Sequence, residues 1–104
     1  MKLFRLMFMV SALIALTVSL LAADQKTQDL YKSKCQGCHG PDGKASVIGK
    51  KLGARDFQDP DVAKMSEAEL VTITTDGKNK MPAYKGKLTD DQIKALVKYI
   101  KEMK

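Results

Sequence analysis

The five residues at positions 35–39 constrain this chain more than any other segment. They read Cys35-Gln36-Gly37-Cys38-His39, and they contain both cysteines and the single histidine of the 104-residue sequence. A structural zinc site usually needs four ligands in two separated pairs, and the sequence has no second pair. A disulfide across so short a loop would stabilise little. A thioredoxin-like dithiol would need a βαβ setting, which the sequence does not show.

The spacing Cys-x-x-Cys-His is typical of covalent haem attachment. Two cysteines three positions apart lie on one side of a helical turn, so their sulfurs can add to the two vinyl groups on one edge of the porphyrin. His39 follows directly and can reach the iron as an axial ligand. The sequence therefore predicts one haem c with its iron, attached covalently through Cys35 and Cys38, with His39 as a metal ligand.

Residues 1–23 differ in character from the rest of the chain. A basic start is followed by an uncharged run over positions 6–23, and Asp24 opens a polar stretch. This order is typical of a secretory signal peptide. An uncleaved membrane anchor stays open as the alternative, because the run approaches the roughly 17–25 residues that span a bilayer. Both interpretations place the domain of residues 24–104 outside the cytoplasm. We expect a periplasmic protein, membrane-anchored only in the alternative.

Three helices are predicted in this domain: one over about 26–36, one after Ser66 and one after Thr89. Ser66 and Thr89 each open a capping box, with Glu or Gln three residues later. The last helix carries the clearest amphipathic stripe, made by Ile93, Leu96, Val97 and Ile100. No alternating run is long enough to predict a strand.

The connections between these helices are long. A domain of this size buries little apolar area on its own and often needs a covalent link or a bound group. Long loops in a compact domain are usually functional. We therefore predict an all-α fold in which three to four helices and long loops wrap around one covalently bound haem.

A second axial ligand must come from a residue other than histidine, because His39 is alone. Methionine sulfur is a known partner of histidine in haem proteins and raises the reduction potential. Met103 belongs to the end of a helix, and Met65 precedes a helix cap. Met81 lies in a loop and is held by the following Pro82. We predict Met81 as the sixth ligand; a vacant or lysine-ligated site is the alternative.

With the helix that ends in Cys35-Gln36-Gly37-Cys38-His39, the chain resembles the class I cytochromes c, especially the small bacterial ones. The resemblance covers nearly all of residues 26–104. Tyr31, four positions before Cys35, matches an aromatic position on the family's first helix. Leu96 and Tyr99 match the Leu-x-x-Tyr positions on its last helix. The resemblance implies that these two helices cross and pack at those residues.

Two loops also resemble segments of this family. Residues 49–52 resemble its Gly-Pro-x-Leu turn, with Lys50 in place of proline. The resemblance implies that the carbonyl of Lys50 holds the proximal histidine and that Leu52 packs on the haem. Residues 79–84 look like the family's distal-ligand loop, which again implies Met81 as the sixth ligand.

The predicted function is one-electron transfer between redox proteins outside the cytoplasm. Protein ligands on both sides of the iron leave no position for a substrate, and the chain offers no other catalytic pair, so we do not expect an enzyme. If the sixth position were open, a haem-based ligand-binding sensor or a docking module of a larger redox complex would be the alternative.

The chain carries a formal net charge of +6. Lysines flank both parts of the predicted haem site: Lys32 and Lys34 near Cys35, and Lys78, Lys80, Lys85 and Lys87 near Met81. They would steer redox partners with acidic docking patches, although a solvated surface explains them equally well. Nucleic-acid binding is not expected, because the charge excess is modest and has no interleaved aromatic residues. We expect a monomer with no membrane insertion once the signal is cleaved.

Overall fold

The computed structural model describes residues 25–103, so the predicted signal segment lies outside the described residues. The described chain is helical, in the order α1 (25–34), α2 (Gln36–His39), α3 (Val47–Lys51), α4 (Pro60–Ala63), α5 (Glu67–Asp76) and α6 (Asp90–Glu102). Residues 25–103 form no strand and pair as β only at two isolated bridges. The predicted all-α class is confirmed.

Helices α5 and α6 begin at Ser66 and Thr89, the capping residues that the sequence predicts. At the start of α6 the Gln92 N–H donates to Thr89 Oγ1 (3.1 Å), and the Thr89 N–H donates to Gln92 Oε1 (2.9 Å). At the start of α5 the Glu69 N–H donates to Ser66 Oγ (3.1 Å). Each such cap satisfies a backbone donor that the first turn would otherwise leave free.

The short helices α3 and α4 were not predicted. Ser46 caps α3 by accepting from the Gly49 N–H at 3.0 Å. Asp59 caps α4 by accepting from the Asp61 N–H at 2.9 Å, and Pro60 takes the first helical position. These capping signals are present in the sequence, but helices of four or five residues are too short to show an apolar period.

The core lies where α1 crosses α6. Tyr31, Ile93, Leu96 and Val97 are each only 1% exposed. The rings of Tyr31 and Tyr99 meet edge to face, with centroids 5.5 Å apart. The first and last helices therefore pack at the residues that the family resemblance implies. Burial of each of these large side chains contributes about 1.5–3 kcal/mol.

Tyr31 also connects this core to the haem-attachment segment. Its phenol donates a buried hydrogen bond of 2.6 Å to the carbonyl of Gly40, directly after α2. Gly40 has a φ of 74°, and a Cβ there would overlap the carbonyl oxygen of Lys44. The core thus fixes the backbone that follows His39. None of the helices formed by residues 25–103 is long and apolar enough to cross a membrane.

Candidate haem site

An open cavity of about 510 Å³ lies between the end of α1, α5 and the loop that follows α5. Four of the predicted site residues line it: Cys35, Cys38, Leu52 and Met81. The rest of its apolar wall is formed mainly by Phe57, Val62, Met65, Leu70, Ile73 and Pro82. Its volume falls within the roughly 300–1,000 Å³ typical of small-molecule and cofactor sites.

The two cysteines are free thiols at the edge of this cavity, each half-buried. Burial raises the pKa of the Cys35 thiol to about 11. This raised pKa favours the protonated thiol, whereas a reactive redox dithiol has a lowered pKa. No group of three or more candidate metal-ligating side chains occurs in the part of the chain that the structure describes. Residues 25–103 thus supply no second ligand pair of the kind that a structural zinc site uses.

His39 is the one predicted site residue that does not line the cavity. Its ring stacks on Phe57, which does line it, at a centroid distance of 4.8 Å and an angle of 27°. Burial lowers the pKa of His39, which favours the neutral imidazole that an iron ligand requires. A hydrogen bond of 2.9 Å from the N–H of Phe57 to the carbonyl of Gly43 fixes the backbone of Phe57. Sequence reasoning missed Phe57 entirely.

The expected hydrogen bond from His39 to Lys50 is not formed. The Nδ1 atom of His39 is buried and has no hydrogen-bond partner among residues 25–103. The Lys50 carbonyl accepts instead from the Gly53 N–H at 3.1 Å. The Lys50 N–H donates to the Ser46 carbonyl at 2.8 Å, a hydrogen bond that a proline at this position could not make.

Helix α3 packs directly on the backbone of the attachment motif. The Ser46 N–H donates to the Cys38 carbonyl (3.0 Å), and the Ser46 hydroxyl donates to the Gly37 carbonyl (2.7 Å). A Cβ at Gly49 would overlap the Cys38 carbonyl oxygen, so this approach requires glycine. This packing of α3 on the motif positions Leu52, the C-cap of α3, in the cavity wall.

Met81 reaches the cavity from a tightly closed turn. Its N–H donates to the Lys78 carbonyl (2.9 Å), and its carbonyl accepts from the Lys78 N–H (3.2 Å). Asn79 inside this turn has a φ of 53°, in the left-handed region that asparagine tolerates. The turn sits on Gly77, where a Cβ would lie 2.7 Å from the Met81 carbonyl oxygen. The backbone on both sides of Met81 is therefore fixed.

A second methionine, Met65, also lines the cavity. It precedes the N-cap of α5, and its carbonyl accepts from Lys101 Nζ at 2.6 Å. Met81 in its loop and Met65 before its helix cap thus both bring a thioether to the cavity wall. Their presence in the wall does not show which of the two is the iron ligand.

The mouth of the cavity is basic. The charged side chains that line it are Lys34, Arg55, Lys78 and Lys80. Arg55 pairs with Asp61 at 3.2 Å, whereas the three lysines take part in neither of the two ion pairs found among residues 25–103. This rim presents a positive surface to any molecule that approaches the opening.

These groups fit a covalently bound haem. Two cysteine side chains three positions apart stand at one edge of an apolar cavity, and a thioether reaches it from a fixed turn. A buried, neutral imidazole lies alongside. The apolar wall suits a large flat porphyrin, and soft sulfur and imidazole donors suit haem iron.

Comparison with known proteins gives matches along most of the chain. The family model described as cytochrome C oxidase, cbb3-type, subunit III matches residues 22–100. Cytochrome c6 of Thermosynechococcus vestitus is 30% identical over 88% of this chain and 80% of its own length. Cytochrome c-553 of Helicobacter pylori is 37% identical over 92% and 95%, respectively. The solved c-type cytochrome KustC0563 has a TM-score of 0.69 at 35% identity, covering 74% of this chain and 95% of that one.

Proposed function

The chain belongs to the class I c-type cytochromes, small carriers of single electrons on one covalently bound haem, and on this premise we propose which of its residues hold the haem. Cys35 and Cys38 form the two thioether bonds, His39 is the proximal iron ligand and Met81 is the distal one. Leu52 packs on the haem. When bound, the haem supplies an iron that accepts and releases one electron.

The observation that carries this assignment is that four of these five residues line one cavity. Cys35, Cys38, Leu52 and Met81 come from three separate parts of the chain and all line the same space. The ring of His39 lies against Phe57 in the same wall. The apolar wall excludes water from the porphyrin faces, and the two covalent bonds prevent loss of the cofactor.

The turn around Met81 supports its role as the distal ligand. Two backbone hydrogen bonds between Lys78 and Met81 hold the Cα of the ligand in place before any metal is bound. A preorganised ligand loses less conformational entropy on binding. The backbone of Met65 is held as well, by the Val62 carbonyl, which accepts from its N–H at 3.0 Å, and by Lys101 at its carbonyl. The preference for Met81 therefore rests on the resemblance of residues 79–84 to the family's distal-ligand loop.

A carrier with protein ligands on both sides of the iron has no open position for a substrate. We therefore propose that the protein has no enzymatic activity of its own and exchanges electrons with other redox proteins. The relatives named above are cytochromes c6 and c-553. Nothing in the described residues favours the open-iron sensor over this function.

We propose that residues 1–23 are removed and that the domain of residues 24–104 works outside the cytoplasm. The basic start and uncharged run of that leader support export. The unpaired lysines at the cavity mouth, Lys34, Lys78 and Lys80, attract partners with acidic surfaces. The mature protein acts as a monomer.

A mass spectrum of the exported protein, with a haem-stained denaturing gel, tests the attachment. The expected result is one haem that survives denaturation, on a chain beginning near Asp24. Absorption of the oxidised protein should show the methionine–iron band, and the reduced protein should bind carbon monoxide slowly. A non-covalent haem would refute the thioether assignment, whereas rapid carbon monoxide binding would favour the open-iron sensor.

A further inference from the structure

The ring of His39 lacks the hydrogen bond that usually orients a metal-ligating imidazole. Such a histidine almost always donates from its second ring nitrogen to a carbonyl or a carboxylate, and this bond fixes the direction of the ring plane. In residues 25–103, Nδ1 of His39 is buried and has no hydrogen-bond partner. The Lys50 carbonyl accepts from the Gly53 N–H. The orientation of the imidazole therefore depends on its other contacts.

Phe57 makes a ring-on-ring contact with His39. The two rings are stacked, with centroids 4.8 Å apart and planes at 27° to each other. Offset stacking is a favoured arrangement of two aromatic rings. It also restricts rotation here, because an imidazole that turned about its Cβ–Cγ bond would drive its edge into the phenyl face. Phe57 thus restrains the imidazole plane without a hydrogen bond.

The segment that carries Phe57 is tied to the turn that follows His39. Three hydrogen bonds join residues 56–58 to residues 42–45, one from each of the three consecutive residues. They connect the Ala45 N–H with Asp56 Oδ1 (2.7 Å), the Phe57 N–H with the Gly43 carbonyl (2.9 Å) and Gln58 Nε2 with the Asp42 carbonyl (3.0 Å). We call residues 56–58 the clamp. Phe57 is its middle residue, so the clamp fixes the backbone from which the phenyl ring reaches His39.

Gly43 allows the phenyl ring to come close to this turn. Its φ is 83°, and a Cβ there would lie 2.7 Å from Cδ2 of Phe57, an overlap that would displace the ring. On its other contacts, Phe57 packs against the hydrophobic core centred on α1 and α6. The turn and the core therefore both hold the ring beside His39.

We propose that Phe57, held by the clamp, is the positioning residue that sets the plane of the His39 imidazole at the iron, in place of a hydrogen bond to Nδ1. This inference rests on the proposed function, because it concerns the proximal ligand. A phenyl ring restrains the imidazole without raising its basicity, which a hydrogen bond to Nδ1 would do. The two effects that one hydrogen bond usually combines are thus separated in this chain.

Proton NMR of the oxidised holoprotein tests the proposal, because the spread of the haem methyl signals depends on the direction of the axial imidazole plane. The F57L variant removes the ring and should shift the methyl signals to a different spread. The F57Y variant keeps the ring and should keep the wild-type pattern. The methionine–iron absorption band should persist in both, since the distal ligand is unchanged. V97A controls for lost packing, because Val97 is buried in the α1–α6 core and lines neither the haem cavity nor the smaller cavity behind Phe57. It should keep the wild-type methyl pattern.

The G43A variant displaces the phenyl ring without removing it. Its new Cβ presses on Cδ2 of Phe57, so the methyl pattern should shift here as well. G86A is the matched control, because Gly86 also has a positive φ (78°) but a Cβ there has no atom within 4 Å. Adding G43A to F57L should change the pattern little further, because the ring through which G43A acts is gone.

The outcomes separate this inference from the proposed function. A wild-type protein without covalent haem, or without hyperfine-shifted haem methyl signals, would overturn both. A wild-type methyl pattern in F57L, on a normally attached haem, would overturn the positioning role alone, because another contact would then hold the imidazole. An F57Y pattern equal to that of F57L, or equal shifts in G43A and G86A, would overturn it too. If F57L yields no folded holoprotein, the comparison of G43A with G86A decides.

Discussion

The phenol of Tyr84 donates a 2.8 Å hydrogen bond to the carbonyl of Lys34, 50 positions earlier in the chain. Tyr84 belongs to the loop that carries Met81, and Lys34 directly precedes Cys35. The Tyr84 N–H also donates to the carbonyl of Thr74 at 3.1 Å. Burial raises the pKa of Tyr84, so its phenol stays a donor. One residue thus joins both sides of the haem site.

Replacing Tyr84 by phenylalanine should loosen the Met81 loop without affecting haem attachment. The lost hydrogen bond is solvent-exposed, so we expect a stability loss of about 0.5–1.5 kcal/mol. Carbon monoxide should bind the reduced variant faster than the wild type, as measured by flash photolysis. Tyr99→Phe is the control, because its ring packs on Tyr31 and its phenol makes no hydrogen bond among residues 25–103. Equal rates for Tyr84→Phe and the wild type would show that this hydrogen bond does not hold the loop.

Replacing Met81 by alanine should keep the covalent haem but remove the distal ligand. Loss of the thioether lowers the reduction potential and opens the iron to carbon monoxide. Met65→Ala removes a second sulfur from the same cavity wall and should keep the methionine–iron absorption band. The assignment is wrong if the band survives in Met81→Ala and disappears in Met65→Ala.

Replacing Gly49 by alanine should push α3 away from the attachment motif. The new Cβ overlaps the Cys38 carbonyl oxygen, and overpacking of this kind costs about 1–3 kcal/mol. Gly37→Ala is the matched control, because a Cβ there has no atom within 4 Å. Denaturant unfolding of the two holoproteins gives the comparison, and similar midpoints would show that α3 does not pack as tightly as the structure indicates.

Tyr31 should contribute to alkaline destabilisation of the protein. Burial raises its pKa in the folded state, so above the ordinary tyrosine value of about 10 the unfolded chain loses the proton first. The unfolded state then binds fewer protons than the native state, and the free energy of unfolding falls as pH rises.

Unfolding of Tyr31→Phe across this range isolates that contribution. The variant leaves the Gly40 carbonyl without its phenol donor, which costs about 1–3 kcal/mol at neutral pH. Its stability should fall less steeply above pH 10 than that of the wild type. Parallel curves would mean that the ionisation of Tyr31 is not coupled to unfolding.

The parts of the fold that depend on local spacing could be predicted from the sequence. The capping box of Thr89 and Gln92 is formed by residues within one helical turn, and both hydrogen bonds are present. The haem motif of residues 35–39 is equally local, because its chemistry is set by the reach of adjacent side chains. The crossing of α1 and α6 at Tyr31 and Leu96 needed more than local spacing, and the family resemblance supplied it.

What could not be predicted depends on contacts between distant segments. Phe57 is an ordinary loop residue in the sequence, and only the folded chain places its ring on His39. The hydrogen bond expected from His39 to the Lys50 carbonyl is not formed, and that carbonyl accepts from the Gly53 N–H. The exposure of Ile48 could not be predicted either, because it depends on the contact between Gly49 of α3 and the carbonyl of Cys38.

The crossing of α1 and α6 also imposes an order on events during synthesis. Tyr31 comes from the first helix of the domain, whereas Ile93, Leu96 and Val97 come from the last, so the core joins segments far apart in the chain. A ribosome makes the N-terminal segments first, and such long-range contacts form slowly. Cys35 and Cys38 therefore precede most of the residues of their domain's core in the chain. Under the proposed function, the Cys35–His39 motif would stay open to haem attachment until α6 packs against α1.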